Sequence, residues 1–124
     1  LLFNLYEAAL HSLPRQPIGV YLYENDPTEF ALIHAWRAAG HGRLTGAQHA
    51  TMLYWDMRYF FDPRSYARVD RNDLPMPDQV AVNGPAARDV CLSGGYPPER
   101  VIEVEALRYL YLSGVGAATR ARNS

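Results

Sequence analysis

The chain has 124 residues, of which 48% are hydrophobic and 20% charged, and this composition fits a single globular domain with its own core. A formal net charge of -1 gives no electrostatic footprint for a polyanion, so nucleic acid is excluded as the expected partner. The lone Cys91 excludes an internal disulfide framework and indicates a reducing compartment. The opening segment, residues 1–14, carries Asn4, Glu7 and His11, which make it too polar for a membrane span, and it lacks the basic start of a signal peptide.

Apolar residues recur at helical spacing from residue 2 to residue 13, and this predicted helix ends before the next proline. A nearly continuous apolar run from Ile18 to Tyr23 follows, and it is typical of a strand whose two faces are both covered by helices. Asp26 then provides an N-cap with Glu29 three residues later, a capping box that predicts a second helix ending at Gly40.

The second helix carries His34 and His41 on one stripe, which we interpret as its solvent-facing side. The rest of the chain repeats the same order of elements. Strands are expected at residues 43–48, 79–82 and 101–104, with a helix that begins at Pro85. Alternating strands and helices predict an α/β fold, namely a Rossmann-like three-layer domain with a mostly parallel sheet of about four strands.

Polar residues follow every predicted strand. In open parallel sheets, ligands bind in the crevice beyond the carboxyl ends of the strands. The residues that reach this edge are Glu24 and Asn25, Gln48 and His49, Asn83 and Gly84, and Glu105 with Arg108. Because strand ends also meet solvent in proteins that have no site there, ordinary surface polarity stays open as the alternative explanation.

The interval from His49 to Met76 is longer than most loops in compact domains, and such loops are usually functional or disordered. Its first half is rich in aromatic residues and therefore too apolar for a solvated linker. We expect four of these aromatic residues to be partly buried, with Trp55 near the crevice; the four are Tyr54, Trp55, Tyr59 and Phe60. The charged second half, residues 62–77, is expected to be exposed.

Several common chemistries have no support in the sequence. "YENDPTE" stands where a GxGxxG turn or a P-loop would follow the first strand, so no cofactor is expected. His34, His41 and His49 lack the spacing and the neighbouring ligands of a metal site. No serine lies in a nucleophile elbow, which leaves a serine hydrolase without support.

Two stretches carry a family resemblance. They are "YEN...FALIHAWRAAGHGRLTGAQHAT" and "LPMPDQVAVNGPAARDVCLSGGYPPERVIEVEALRYL", the second with Gly95, Pro98 and Arg108 in place. From about Ile18 to Leu112 the chain resembles the later part of the N-terminal domain of GT-B-fold glycosyltransferases, most closely bacterial surface-carbohydrate biosynthesis proteins of the capsule, lipopolysaccharide and teichoic-acid type. Ala50 and the pair Glu105–Ala106 replace glycine-containing turns of that family.

The resemblance implies a single GT-B-like domain over residues 1–112, followed by a polar tail at 113–124, within a larger two-domain enzyme. This domain would hold a sugar or lipid-linked acceptor. A missing C-terminal domain would hold the nucleotide-activated sugar, and the isolated fragment would be inactive. The implied location is cytoplasmic, peripheral to the inner membrane through the parent protein.

The resemblance also implies roles for the strand-end residues. His49 is expected to act as general base on the acceptor hydroxyl, with Glu24 orienting its ring or binding the acceptor. The expected substrate-binding residues are Asn25, Gln48, Trp55, Asn83 and Arg108. The alternative for His49 is that it only caps its strand by bonding a backbone group. For the whole chain, the alternatives are a noncatalytic α/β binding or interaction module and a nucleotide-sugar epimerase-like fragment.

Overall fold

The structure, a computed structural model, describes residues 1–24, 26–53, 55–60, 62 and 74–105. Its elements in chain order are α1 (Leu2–Ser12), β1 (Ile18–Tyr23), α2 (Pro27–Ala38), β2 (Arg43–Gln48), β3 (Gln79–Val82), α3 (Pro85–Ser93) and β4 (Val101–Glu103). Short 3₁₀ turns occur at Met57–Tyr59 and Pro98–Arg100. None of the helices within the described ranges has the length and apolar character that crossing a bilayer requires.

Local capping signals set the helix boundaries, as the sequence predicted. At the start of α2 the Asp26 side chain accepts a bond from the Thr28 amide, 2.8 Å away, while Glu29 accepts from the Asp26 amide at 3.2 Å. This reciprocal arrangement is the predicted capping box. The third helix, α3, begins at Pro85 after Gly84, whose φ of 98° suits a residue without a Cβ.

The four strands form one parallel sheet in the order β1-β2-β3-β4. Ile18 to Tyr23 pair in register with Arg43 to Gln48, so the two strands end side by side. Helices connect β1 to β2 and β3 to β4, as βαβ crossovers require. The predicted α/β fold with a parallel four-stranded sheet is confirmed.

Two clusters of buried side chains make up the core. One lies among α1, α2 and β2 and contains Leu10, Ile33, Ala35, Trp36 and Leu44. The other fills the space around β3, α3 and the segment after β2, and contains Tyr23, Met52, Tyr59, Met76, Val80, Val82, Cys91, Tyr96 and Val101. Tyr21 packs against both clusters, so it links the two halves of the core.

One side of β1 is open, contrary to what its continuous apolar sequence suggested. Ile18, Val20 and Leu22 are 66%, 68% and 63% exposed, whereas Tyr23 is 1% exposed. The alternation of exposed and covered residues along β1 shows that only one face of this strand is packed within the described residues. The expectation of two covered faces is therefore wrong for β1 over these residues.

The two histidines expected on the solvent face of α2 differ in their surroundings. His34 is exposed, as predicted. His41 is half-buried: its ring bonds the Gln16 amide and the Leu10 carbonyl, each at 3.1 Å, and contacts Trp36. The prediction of a surface position is wrong for His41, because it lies beyond the end of the helix, where its ring connects to the end of α1.

Candidate functional site

Glu24 and His49 meet where β1 and β2 end side by side. The His49 Nδ1 atom lies 2.6 Å from Glu24 Oε1. Both side chains remain accessible, with 54% of the His49 side chain and 40% of the Glu24 side chain exposed. The in-register pairing of the two strands explains this contact, since each residue immediately follows its own strand. Two residues that the sequence placed at one edge are thus in direct contact.

The hydrogen bond between these residues fixes how the imidazole can act. An ionised carboxylate has no proton to donate, so His49 Nδ1 carries the hydrogen and Glu24 accepts it. The Nε2 atom of the neutral ring then keeps its lone pair. A carboxylate that holds an imidazole in this tautomer also stabilises the imidazolium that forms when Nε2 takes a proton. A neutral His49 ring held in this way presents Nε2 as a proton acceptor.

Glu29 holds the turn that carries Glu24, in addition to the capping role that its sequence position predicts. Its Oε1 atom accepts from the Glu24 amide at 2.8 Å, in addition to the Asp26 amide. Glu29 is itself 8% exposed. The first turn of α2 is therefore hydrogen-bonded to the residue that follows β1. The capping box was the sequence signal for Glu29, but it predicts only the bond to the Asp26 amide and not the additional bond to the Glu24 amide.

Gln48 and Asn83 join the ends of β2 and β3. Gln48 Oε1 accepts from the Asn83 amide at 2.7 Å, and the Asn83 side chain donates to the Gln48 carbonyl at 3.3 Å. Gln48 also donates to the Ala50 carbonyl at 2.8 Å, which closes a turn around His49. Since only 8% of Gln48 is exposed, its amide is a structural clamp that joins the ends of β2 and β3.

A cavity of about 310 Å³ opens beside this clamp. It is lined by Gln48, Thr51, Met52, Asn83, Ala86, Ala87 and Val90. The first turn of α3 forms one wall and has no side-chain cap, so the amides of Ala86 and Ala87 have no partner within that helix. The cavity thus combines amide groups with an apolar wall. His49 lies outside its lining but follows Gln48 directly in the chain.

Arg58 is a further charged residue near the pair. Asp56 holds its guanidinium with two bonds, at 2.9 and 2.7 Å. The Asp56 carboxylate raises the pKa of Arg58, and the negative charge of Glu24 adds to this more weakly. A fixed guanidinium suits phosphate or carboxylate oxygens. Arg58 is one of four arginines between residues 58 and 71, which the sequence alone does not distinguish from one another.

Cys91 lies behind the cavity wall and is chemically quiet. Its Sγ atom is 3.4 Å from the Sδ atom of Met52, and the residue is buried. Burial raises the pKa of its thiol to about 11. Since the thiolate is the nucleophilic form, Cys91 at neutral pH is a packing residue.

The aromatic segment after His49 is only partly packed. Tyr59 is 1% exposed and Phe60 is half-buried, as predicted, whereas Trp55 is 75% exposed and does not line the cavity. The predicted partial burial of Trp55 is wrong, because Tyr59 and Met52 fill the core beneath this segment. Tyr54 lies outside the described residues.

The remaining predicted site residues, Asn25 and Arg108, also lie outside the described residues, as does most of the charged half of the long interval. Among the residues that the structure does describe, no group of three histidine, cysteine or acidic side chains is arranged to hold a metal ion.

Comparison of the chain with protein-family models, curated proteins and solved structures found no match.

Proposed function

We propose that this chain is the acceptor-side part of a glycosyltransferase-like enzyme of bacterial surface polysaccharide biosynthesis, with His49 as its general base. The observation that supports this most directly is the 2.6 Å bond between Glu24 and His49 at the carboxyl edge of a parallel sheet. The resemblance of the chain to GT-B acceptor domains selects the reaction class. The proposal includes a second domain that binds the activated sugar.

In the proposed reaction, His49 Nε2 removes the proton from an acceptor hydroxyl. The freed oxygen attacks the anomeric carbon of the donor sugar, a new carbon–oxygen bond forms, and the bond to the nucleotide phosphate breaks. Glu24 accepts the Nδ1–H bond throughout and balances the charge of the imidazolium. General-base assistance of this kind contributes about 10²–10⁴-fold to the rate.

The cavity beside the Gln48–Asn83 contact suits a carbohydrate acceptor. Asn83 offers a side-chain amide, and the first turn of α3 offers backbone amides that have no partner within the helix; both are donors for hydroxyl or phosphate oxygens. The apolar wall of Met52 and Val90 suits the less polar face of a sugar ring. Gln48 lines the cavity and His49 is the next residue in the chain, so we place the acceptor at the end of β2 that carries the base.

The decisive experiment is His49→Ala in the enzyme that contains this domain. We expect turnover to fall by at least about 10²-fold, because the base is removed. His34→Ala is the matched control, since His34 is exposed on α2 away from the strand ends, and it should leave turnover unchanged. A loss below about tenfold for a folded His49→Ala protein would leave His49 with a structural role only.

Binding to the isolated 124-residue chain separates this proposal from the alternatives. Acceptor-type saccharides and sugar phosphates should shift the amide NMR signals of Gln48, Asn83 and Ala87. A panel of UDP-, CDP- and GDP-sugars should not bind, because the chain has no glycine-rich nucleotide turn. Low-micromolar binding of a nucleotide sugar would contradict the half-enzyme proposal. It would favour an epimerase-like fragment.

A further inference from the structure

The cavity beside the Gln48–Asn83 contact has a neutral lining. None of the seven residues that line it, all within the described part of the chain, carries a charged side chain. Its volume of about 310 Å³ is at the lower end of the range of about 300–1,000 Å³ that is usual for ligand cavities. The cavity therefore has room for a small ligand, and its lining offers no cationic side chain to balance a negative charge on that ligand.

Both ends of the Gln48 side-chain amide are used inside the protein. Its Oε1 atom accepts from the Asn83 amide at 2.7 Å, and its Nε2 atom donates to the Ala50 carbonyl at 2.8 Å. Breaking either bond for a ligand would leave a polar group of this buried residue without its partner, which costs free energy. Recognition of a ligand by side chains is thus left to the other polar residues of the lining, Thr51 and Asn83.

The contacts of Asn83 fix the orientation of its side chain. Its Nδ2 atom donates to the Gln48 carbonyl at 3.3 Å, while its backbone amide donates to Gln48 Oε1. Because a carbonyl oxygen can only accept, the NH₂ group has to lie on this side, and Oδ1 is the opposite end of the amide. Neither of the two bonds uses Oδ1. An amide oxygen accepts but cannot donate, so it suits a ligand hydroxyl and repels the oxygens of an ionised phosphate.

The other polar groups of the lining also suit hydroxyls. Thr51 is exposed, and its own hydroxyl can donate or accept. The helix α3 begins at Pro85, which has no N–H, so the first turn offers fewer donors than a helix start usually has. The lining thus combines an acceptor, donors and an apolar wall without any charge, and this combination matches a sugar ring with its hydroxyl groups.

We propose that the cavity binds an uncharged sugar unit of the acceptor and that Asn83 is the specificity-determining residue, with its Oδ1 atom accepting a hydrogen bond from one ligand hydroxyl. Any phosphate that the acceptor carries lies outside the cavity. Loss of the Asn83 bond lowers the affinity by about 3–10-fold, the usual effect of one hydrogen bond. This inference rests on the proposed function for the carbohydrate nature of the ligand, but it does not require His49 to be the base.

The test is an NMR titration of the full 124-residue chain with uncharged methyl glycosides of hexoses and N-acetylhexosamines, and with inorganic phosphate. We expect at least one glycoside to shift the amide signals of Thr51, Asn83 and Ala87 saturably, and phosphate to leave them unchanged. Ala86→Leu should weaken glycoside binding by at least about tenfold, because leucine fills the cavity from an exposed position. Ala38→Leu, at an exposed position of α2, is the matched control and should bind like the wild type.

Fluorinated ligands show whether Asn83 recognises a hydroxyl. In a deoxyfluoro glycoside, a fluorine of similar size replaces one hydroxyl and cannot donate. One such derivative should bind the wild-type chain about 3–10-fold more weakly than its parent glycoside. The Asn83→Ala chain should bind that derivative and its parent equally, because the partner of the replaced hydroxyl is gone. Circular dichroism verifies that Asn83→Ala is folded.

Three results would overturn the inference: no glycoside shifts these signals, phosphate shifts them in place of the glycosides, or the fluorine effect is as large in Asn83→Ala as in the wild type. Glycoside binding that Ala86→Leu leaves unchanged would also overturn it, because the ligand would then lie elsewhere. The proposed function fails separately. A folded His49→Ala enzyme with normal turnover would remove the general base and leave glycoside binding to the chain as it is.

Discussion

At the residue scale, a second carboxylate, that of Glu29, bonds the backbone of Glu24 and not the functional group of either member of the Glu24–His49 pair. Glu29 accepts a hydrogen bond from the Glu24 amide and thereby holds the backbone just after β1. In catalytic sites, second carboxylates of this kind orient the groups that react. We therefore expect Glu29 to position the Glu24–His49 pair in addition to its role in starting α2.

We predict that Glu29→Ala will break the Glu24–His49 hydrogen bond, whereas Glu29→Gln will preserve it, because a glutamine oxygen also accepts from amides. The measurement is the ¹⁵N NMR spectrum of the His49 ring, in which the Nδ1-bound proton reports the bond. Asp26→Ala is the control: it removes the other half of the capping box without touching the Glu24 amide.

Both alanine variants should lower the free energy of unfolding by about 1 kcal/mol, as the loss of a helix cap does. We expect the two variants to differ only in the Nδ1 proton signal of the His49 ring. If Asp26→Ala abolished the Nδ1 proton signal as completely as Glu29→Ala, the effect would come from fraying of α2, and Glu29 would have no specific positioning role.

Sequence reasoning at this scale located the right edge of the fold but not its contacts. Because each polar residue directly follows a strand, Glu24, His49, Gln48 and Asn83 could be assigned to one edge. Their pairing into two separate contacts, Glu24 with His49 and Gln48 with Asn83, depends on strand register, which the sequence does not encode locally. The burial of Trp55 was predicted wrongly, because its apolar character alone does not determine which of the neighbouring aromatic residues packs into the core.

At the scale of elements, prediction succeeded wherever a boundary has its own chemical signal. The capping box at Asp26 and the proline at position 85 mark helix starts that the structure reproduces. Strand β2 and strand β3 also have the predicted limits. The burial of the two faces of β1 was harder to predict, because an apolar residue in the sequence can be either covered by a helix or exposed to solvent.

Gly19 shows how closely α2 lies on β1. A Cβ at this position would stand 2.5 and 2.7 Å from two carbon atoms of the Trp36 ring, and 2.9 Å from a Leu44 methyl group. We predict that Gly19→Ala will lower the free energy of unfolding by about 1–3 kcal/mol, the usual cost of overpacking a core. Chemical denaturation of the purified chain measures this change.

The same substitution in a Trp36→Phe background should cost less. Both close carbon atoms belong to the outer ring of the indole, which phenylalanine does not reach. A double-mutant cycle therefore isolates the contact between the two residues. Equal decreases in the free energy of unfolding in the two backgrounds would show that the strain of Gly19→Ala comes from Leu44 or from the backbone, and not from contact with Trp36 on α2.

At the scale of the whole molecule, β1 joins the two halves of the core through two tyrosines. Tyr23 belongs to the cluster around α3, where its hydroxyl forms a hydrogen bond with that of Tyr96. Tyr21 packs against both clusters, and its ring meets that of Tyr23 at 6.3 Å. Within the described residues, the Tyr21 hydroxyl is buried without a hydrogen-bond partner. The two tyrosine hydroxyls therefore differ: within the described residues, that of Tyr23 is hydrogen-bonded and that of Tyr21 is not.

We predict opposite outcomes when each tyrosine is replaced by phenylalanine. Tyr23→Phe should lower the free energy of unfolding by about 1–3 kcal/mol, because the buried Tyr96 hydroxyl loses its partner on β1. Tyr21→Phe should leave it within about 0.5 kcal/mol of the wild-type value or raise it, because desolvating an unpaired hydroxyl opposes folding. Urea denaturation at neutral pH measures both changes. Since the variants share one strand and lose the same atom, each is the other's control, and a Tyr21→Phe loss as large as that of Tyr23→Phe would show that the Tyr21 hydroxyl is bonded in the folded protein.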